Sequence, residues 1–228
     1  VQTCALPIWL NKKAMPASYI LIAALMLAAL PLINFLGELN SHMKLPEALS
    51  GVESWMKNAE DKAAVLTEKF LVMNSMKDFI YAFVMVALLP AIGEELMFRG
   101  IIQRIFSEWF KNATIAILVT SVLFSALHMQ FYGFVPRMLL GVLLGYLYVW
   151  SGSLWLPILA HLVNNGAAVI LTYLFKSGAF TLDPDKIGTE NDYTAVMISA
   201  LLVIALLWIV SRLEKKKKSL AESHYPNF

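Results

Sequence analysis

The chain has 228 residues, of which 59% are hydrophobic and only 15% charged, with a net charge of +2. Soluble domains run at about 45–50% apolar and about 25% charged, so a disordered chain, a collagen-like chain and a freely soluble enzyme are excluded. An all-α, polytopic bundle of transmembrane helices is expected instead. The one cysteine, Cys4, can form no internal disulfide and says nothing about redox compartment. The sequence opens Val1-Gln2-Thr3-Cys4 without Met, and segment 1–15 is expected to be a processed, truncated or non-native start.

A bilayer core about 30 Å thick needs roughly 20 mostly apolar helical residues. Six segments approach this: 16–36, 79–106, 113–128, 134–150, 154–175 and 194–213. After the first of them, Leu49, Val52, Met56, Ala59, Ala63, Leu66 and Phe70 recur at three- and four-residue spacing. That spacing predicts an amphipathic helix, lying at the extracytoplasmic face or serving as a lid over the bundle. The second segment is purely apolar only from Phe79 to Ile92, then meets Gly93-Glu94-Glu95. A helix that continues to Phe106 is long enough to span, and it carries both acids into the membrane. Ionisable groups at that depth are costly and are functional candidates by default. In the fourth segment, Gly141-x-x-x-Gly145 predicts a close helix–helix approach.

Loop charge sets orientation. Lys12 and Lys13, Arg104 and Lys111, and Arg212 with the lysines 215–218 fall on one side of a six-span bundle. Both termini are therefore expected in the cytoplasm. Tyr148, Trp150 and Trp155 read as an interfacial aromatic belt, and His42 and His224 as surface residues.

Three polar clusters interrupt the apolar spans: Glu94-Glu95-x-x-x-Arg99, Phe124-x-x-x-His128 and His161-x-x-x-Asn165. Residues four apart share a helix face, so Glu95 can pair with Arg99 while Glu94 points about 100° away. At about 1.5 Å per residue, all three clusters can reach one layer in the inner half of the membrane. Two chemistries fit them. Glu94, His128, His161 and Asn165 could hold one divalent metal, zinc first among them, with an open position for water. Without a metal, Glu94 and His128 could deprotonate a water while His161 and Asn165 stabilise an oxyanion. Neither His-Glu-x-x-His nor Gly-x-Ser-Gly is present, which disfavours zincin-type and serine-type alternatives.

In this order, on successive hydrophobic helices, the three motifs resemble the CAAX protease and bacteriocin-processing (CPBP, Abi-like) family of intramembrane endopeptidases. The resemblance covers roughly 79–175 and implies a core of about eight helices. It implies that Glu94, His128, His161 and Asn165 form the catalytic centre, supported by Glu95 and Arg99, working as a metalloprotease or a glutamate protease. The expected organisation is a start segment 1–15, a first span with the amphipathic helix 16–78, a catalytic core 79–175, and a loop, last span and basic tail 176–228. Expected partners are membrane lipid and a membrane-associated peptide or protein substrate, with no nucleic acid, in a bacterial cytoplasmic membrane. The competing readings are a non-proteolytic scaffold or immunity protein and a proton-coupled transporter.

Overall fold

A computed structural model describes the backbone of residue 10 and of residues 12–189 and 192–224, with side chains as far as Leu220. Cys4 and the side chain of His224 lie outside the described residues. Helices α1 (Pro16–Ala28) and α2 (Leu30–Ser41) together make the first expected span, bent by 45° between them. Pro31 lies at the bend, where it removes a backbone donor and crowds the preceding turn. Ser199 bridges the break: its hydroxyl donates to the Ala28 carbonyl at 2.6 Å and accepts from the Leu32 N–H at 3.3 Å. Hydrocarbon offers no water for that task, so a partner helix must supply it.

The amphipathic segment forms α3 (Ser50–Phe70), none of whose side chains is buried. Helix α4 then runs unbroken over 35 residues, Met76–Phe110, straight through the acidic pair. Ser75 and Asp78 cap its start by exchanging hydrogen bonds of 2.8 and 3.3 Å. Two stretches of α4 are π-wound, Phe83–Leu88 and Phe98–Ile102, one on each side of Glu94 and Glu95. Such turns are rare and concentrate at functional sites.

Helix α5 (Ala113–Ala126) starts at Asn112, whose side-chain oxygen accepts from the Thr114 and Ile115 N–H groups. At 14 residues it is about 21 Å long and too short to cross alone. The chain turns beyond it through Met129, which has a positive φ of 55°. Helices α6 (Phe134–Ser151), α7 (Trp155–Lys176) and α8 (Tyr193–His224) complete the bundle. Among the described residues, four helices are long and apolar enough to cross a membrane, or five with the bent α1–α2 pair. The remaining expected segment, 113–128, is the short α5.

Helices α1, α6, α7 and α8 meet around Ile22, Leu25, Leu144, Leu147, Leu156 and Val210. Helix α5 packs on α6 through the two glycines. A Cβ at Gly145 would come within 2.8 Å of Ile117 and 2.9 Å of the Gln103 side chain, and one at Gly141 within 3.0 Å of Ser121. The outer surface is apolar, with Leu118, Val122, Leu201, Ile204 and Trp208 exposed, while Glu95, Arg99, Gln103, Thr120 and His161 are buried. This inversion suits a hydrocarbon surround. Of the expected aromatic belt, Trp155 is exposed and Tyr148 packs inward. The protein is a polytopic all-α bundle.

Candidate active site

Glu95 and Arg99 point into the bundle and are fully buried. One turn apart on α4, they form an ion pair of 2.8 Å between Arg99 Nη1 and Glu95 Oε1. The same oxygen meets His161 Nδ1 of α7 at 2.9 Å. The other arm of Arg99, Nη2, donates to the Gly141 carbonyl at 2.8 Å, and the guanidinium lies 4.9 Å from the centre of the Phe124 ring. The bare face of Gly141 thus lets α5 close on α6 while its carbonyl anchors α4.

Glu94 faces a different way. Its Oε2 lies 3.9 Å from His128 Nε2 and 3.9 Å from His161 Nε2. Each imidazole meets an acceptor at its far nitrogen: His128 Nδ1 the Phe124 carbonyl at 2.7 Å, and His161 Nδ1 the Glu95 carboxylate. In the neutral rings the proton is therefore on Nδ1, and both Nε2 lone pairs turn toward Glu94. Glu94 Oε2 is itself buried without a protein partner. Three acceptors converging on one point repel unless a donor or a cation sits among them. The wall is half-open, since the Glu94 and His128 side chains are 28% and 31% exposed.

The spacing bears on what sits there. Two hydrogen bonds of about 2.8 Å from a water span the observed 3.9 Å at about 90°. Two zinc bonds of about 2.1 Å would have to open to about 140°, past the tetrahedral angle. Among the described residues, no three His, Cys, Asp or Glu side chains are gathered as a metal cage. The donor types suit zinc, but the spacing suits a water.

Asn165, one turn beyond His161, donates through Nδ2 to the Val86 carbonyl at 3.1 Å and accepts from Asn164 at 3.1 Å. Pro90, four residues after Val86, has no N–H to give that carbonyl, and Asn165 supplies one. Glu94, Glu95, Arg99, His128 and His161 thus form one cluster, and Asn165 is tied to the backbone beside it.

Arg137 also belongs to this neighbourhood, although none of the three sequence motifs includes it. It stands in the first turn of α6, with Nη2 donating to Gln130 at 2.5 Å and Nη1 buried without a partner. Its charge acts on Glu94, His128 and Glu60. A lone cation opening an otherwise apolar span is the sequence signal for it. The loop after His128 is pinned from two sides. Asn40 accepts from the Val135 N–H at 2.6 Å and donates to the Phe131 carbonyl at 3.1 Å, and Glu60 of α3 accepts from the Tyr132 N–H at 3.0 Å.

Fold and site together define a helical membrane protein in which Glu94, His128 and His161 face one another in a half-open wall. Residues 76–167 match the family described as type II CAAX prenyl endopeptidase Rce1-like, in agreement with the resemblance of the three motifs to the CAAX protease and bacteriocin-processing family. The chain is 31% identical over 84 residues to the uncharacterized protein YpbD of Bacillus subtilis (strain 168), covering 35% of this chain and 40% of that one. It is also 31% identical over 98 residues to an uncharacterized 24.3 kDa protein of Escherichia coli, covering 41% and 45%. The aligned region thus spans less than half the length of each of these relatives. No solved structure matches.

Proposed function

We propose that the protein is an intramembrane endopeptidase that hydrolyses a peptide bond in a membrane-associated peptide or protein. The observation that carries this reading is the Glu94 carboxylate facing two imidazole Nε2 atoms at 3.9 Å in a half-open wall. A water held there gives a proton to Glu94 as its oxygen attacks the carbonyl carbon. The C=O electron pair moves to oxygen, and the proton on Glu94 passes to the departing nitrogen as the C–N bond breaks. Products are a carboxylic acid and an amine, which become carboxylate and ammonium once the acid proton passes to the amine. His128 holds the second O–H of the water. The remaining amide N–H of Asn165 stabilises the oxyanion, and His161, fixed at Nδ1 by Glu95, orients the attacking water together with His128.

Asn165→Leu is expected to lower kcat about a hundredfold and to cost about 1 kcal/mol through the lost bond to Val86. Peptide kinetics and thermal unfolding in one detergent measure both; unchanged kcat would leave Asn165 a purely structural role. The basic residues at 12–13, 104, 111, 212 and 215–218 favour a cytoplasmic membrane with both termini inside.

A zinc held by Glu94, His128 and His161 would supply a water of lowered pKa. The spacing argues for a water without it, so the purified protein, assayed on membrane-anchored peptides with and without a prenylated C-terminus, is expected to stay active after chelation. Loss of activity on chelation, restored by zinc, would replace the carboxylate mechanism with a metal one. A scaffold or a transporter cleaves none of these peptides.

A further inference from the structure

At the end of the bundle away from the His128 loop lies a cavity of about 690 Å³. Its walls gather cations from three separate stretches of chain: Lys12 and Lys13 before α1, Arg104 on α4, and Lys217 and Lys218 on α8. Two carboxylates, Glu108 and Glu214, also line it, so the described lining residues carry a net of three positive charges. Glu214 Oε1 accepts from the Met15 N–H at 2.8 Å and the Ser18 hydroxyl at 2.5 Å, and its Oε2 is buried without a partner. The floor is Gln103 and Tyr148, both buried, and Trp150 stands in the wall. Gln103 is nine residues beyond Glu94 on α4, so the floor lies about 14 Å from the hydrolytic wall along that helix.

We infer that this cavity is a specific binding site for the phosphate headgroup of an anionic phospholipid. Four observations lead there. First, lysines that only set orientation lie scattered on a surface, whereas these five cations ring a hollow. Second, the hollow opens where the apolar part of α8 ends and the lysines 215–218 begin, at headgroup level, where an anionic leaflet attracts basic residues. Third, Ile101 and Ile105, one turn apart next to Arg104, are exposed and offer an acyl chain a path down α4. Fourth, the segment before α1 and the tail of α8 already touch here through a hydrogen bond from Lys217 Nζ to the Lys13 carbonyl. A headgroup phosphate would accept from both sides of that junction at once. The site is independent of the hydrolytic reading and needs only the membrane placement.

Lys215 and Lys216 provide the control, because they belong to the same basic run but do not line the cavity. Native mass spectrometry of the full chain, released from vesicles of dioleoylphosphatidylglycerol and dioleoylphosphatidylcholine, is expected to retain one phosphatidylglycerol per chain. K217Q/K218Q should weaken retention about twenty-five-fold, at about a fivefold loss for each charge removed near the surface, and K215Q/K216Q should not. Ser107→Trp, which fills the cavity without changing charge, should abolish retention while leaving the fold's thermal midpoint in place. Equal losses in the two lysine pairs, or unaltered retention in Ser107→Trp, would reduce the effect to general surface attraction and overturn the site. Displacement of the lipid by millimolar inorganic phosphate alone would make the ligand a free phosphate and overturn the lipid assignment.

Discussion

Glu94→Gln is expected to lower kcat/KM by at least about a thousandfold while leaving thermal unfolding unchanged, the upper range for loss of a general base. The separation of the two effects follows from position. Glu94 carries no hydrogen bond that holds the helices together; its Oε2 lies 3.9 Å from either imidazole and has no partner of its own. An amide of the same size removes the proton acceptor and nothing else. Full turnover by the variant, measured on a fluorogenic membrane-anchored peptide, would remove Glu94 from the chemistry.

The neighbouring acid should behave in the opposite way. Glu95→Leu or Arg99→Met alone is expected to destabilise the protein by about 3–5 kcal/mol, because each leaves an uncompensated charge in the interior. Both groups are fully buried, and one Glu95 oxygen serves Arg99 at 2.8 Å and His161 at 2.9 Å. The double variant Glu95→Leu/Arg99→Met is expected to recover most of that stability, since the desolvation cost of both charges goes with them. Activity should not return, because His161 loses the acceptor that fixes its tautomer and orientation. Thermal unfolding of the two single variants and the double, in one detergent, measures this coupling. Additive losses would show that the pair is not the structural unit proposed.

Much of this arrangement is legible in the amino-acid sequence. The helix through Glu94 and Glu95 follows from bilayer thickness, since its apolar run from Phe79 to Ile92 is too short by itself. The Glu95–Arg99 pair follows from four-residue spacing, and the meeting of α5 with α6 from Gly141 and Gly145. Composition does not say where an apolar helix stops, and α5 ends at Ala126 with His128 in the turn beyond it. The bend at Pro31 is readable from proline's missing donor, but Ser199, which repairs it from 167 residues away, is not. The π-wound stretches are not revealed by helical periodicity alone. Asn165 stands out for its spacing from His161, whereas its contact to Val86 depends on Pro90, a residue with no polar chemistry to draw notice.

The direct test of a Glu94-activated water in a membrane-embedded peptidase is a comparison of protein termini in cell membranes. N-terminal proteomics of cells carrying the wild-type chain and of cells carrying Glu94→Gln, matched for abundance, reads every new cleavage at once. One or more new termini, within or beside a membrane segment, are expected with the wild type and should be missing with the variant. Identical sets of termini from the two would contradict a hydrolytic role for Glu94 and leave the cluster as a scaffold or a proton relay.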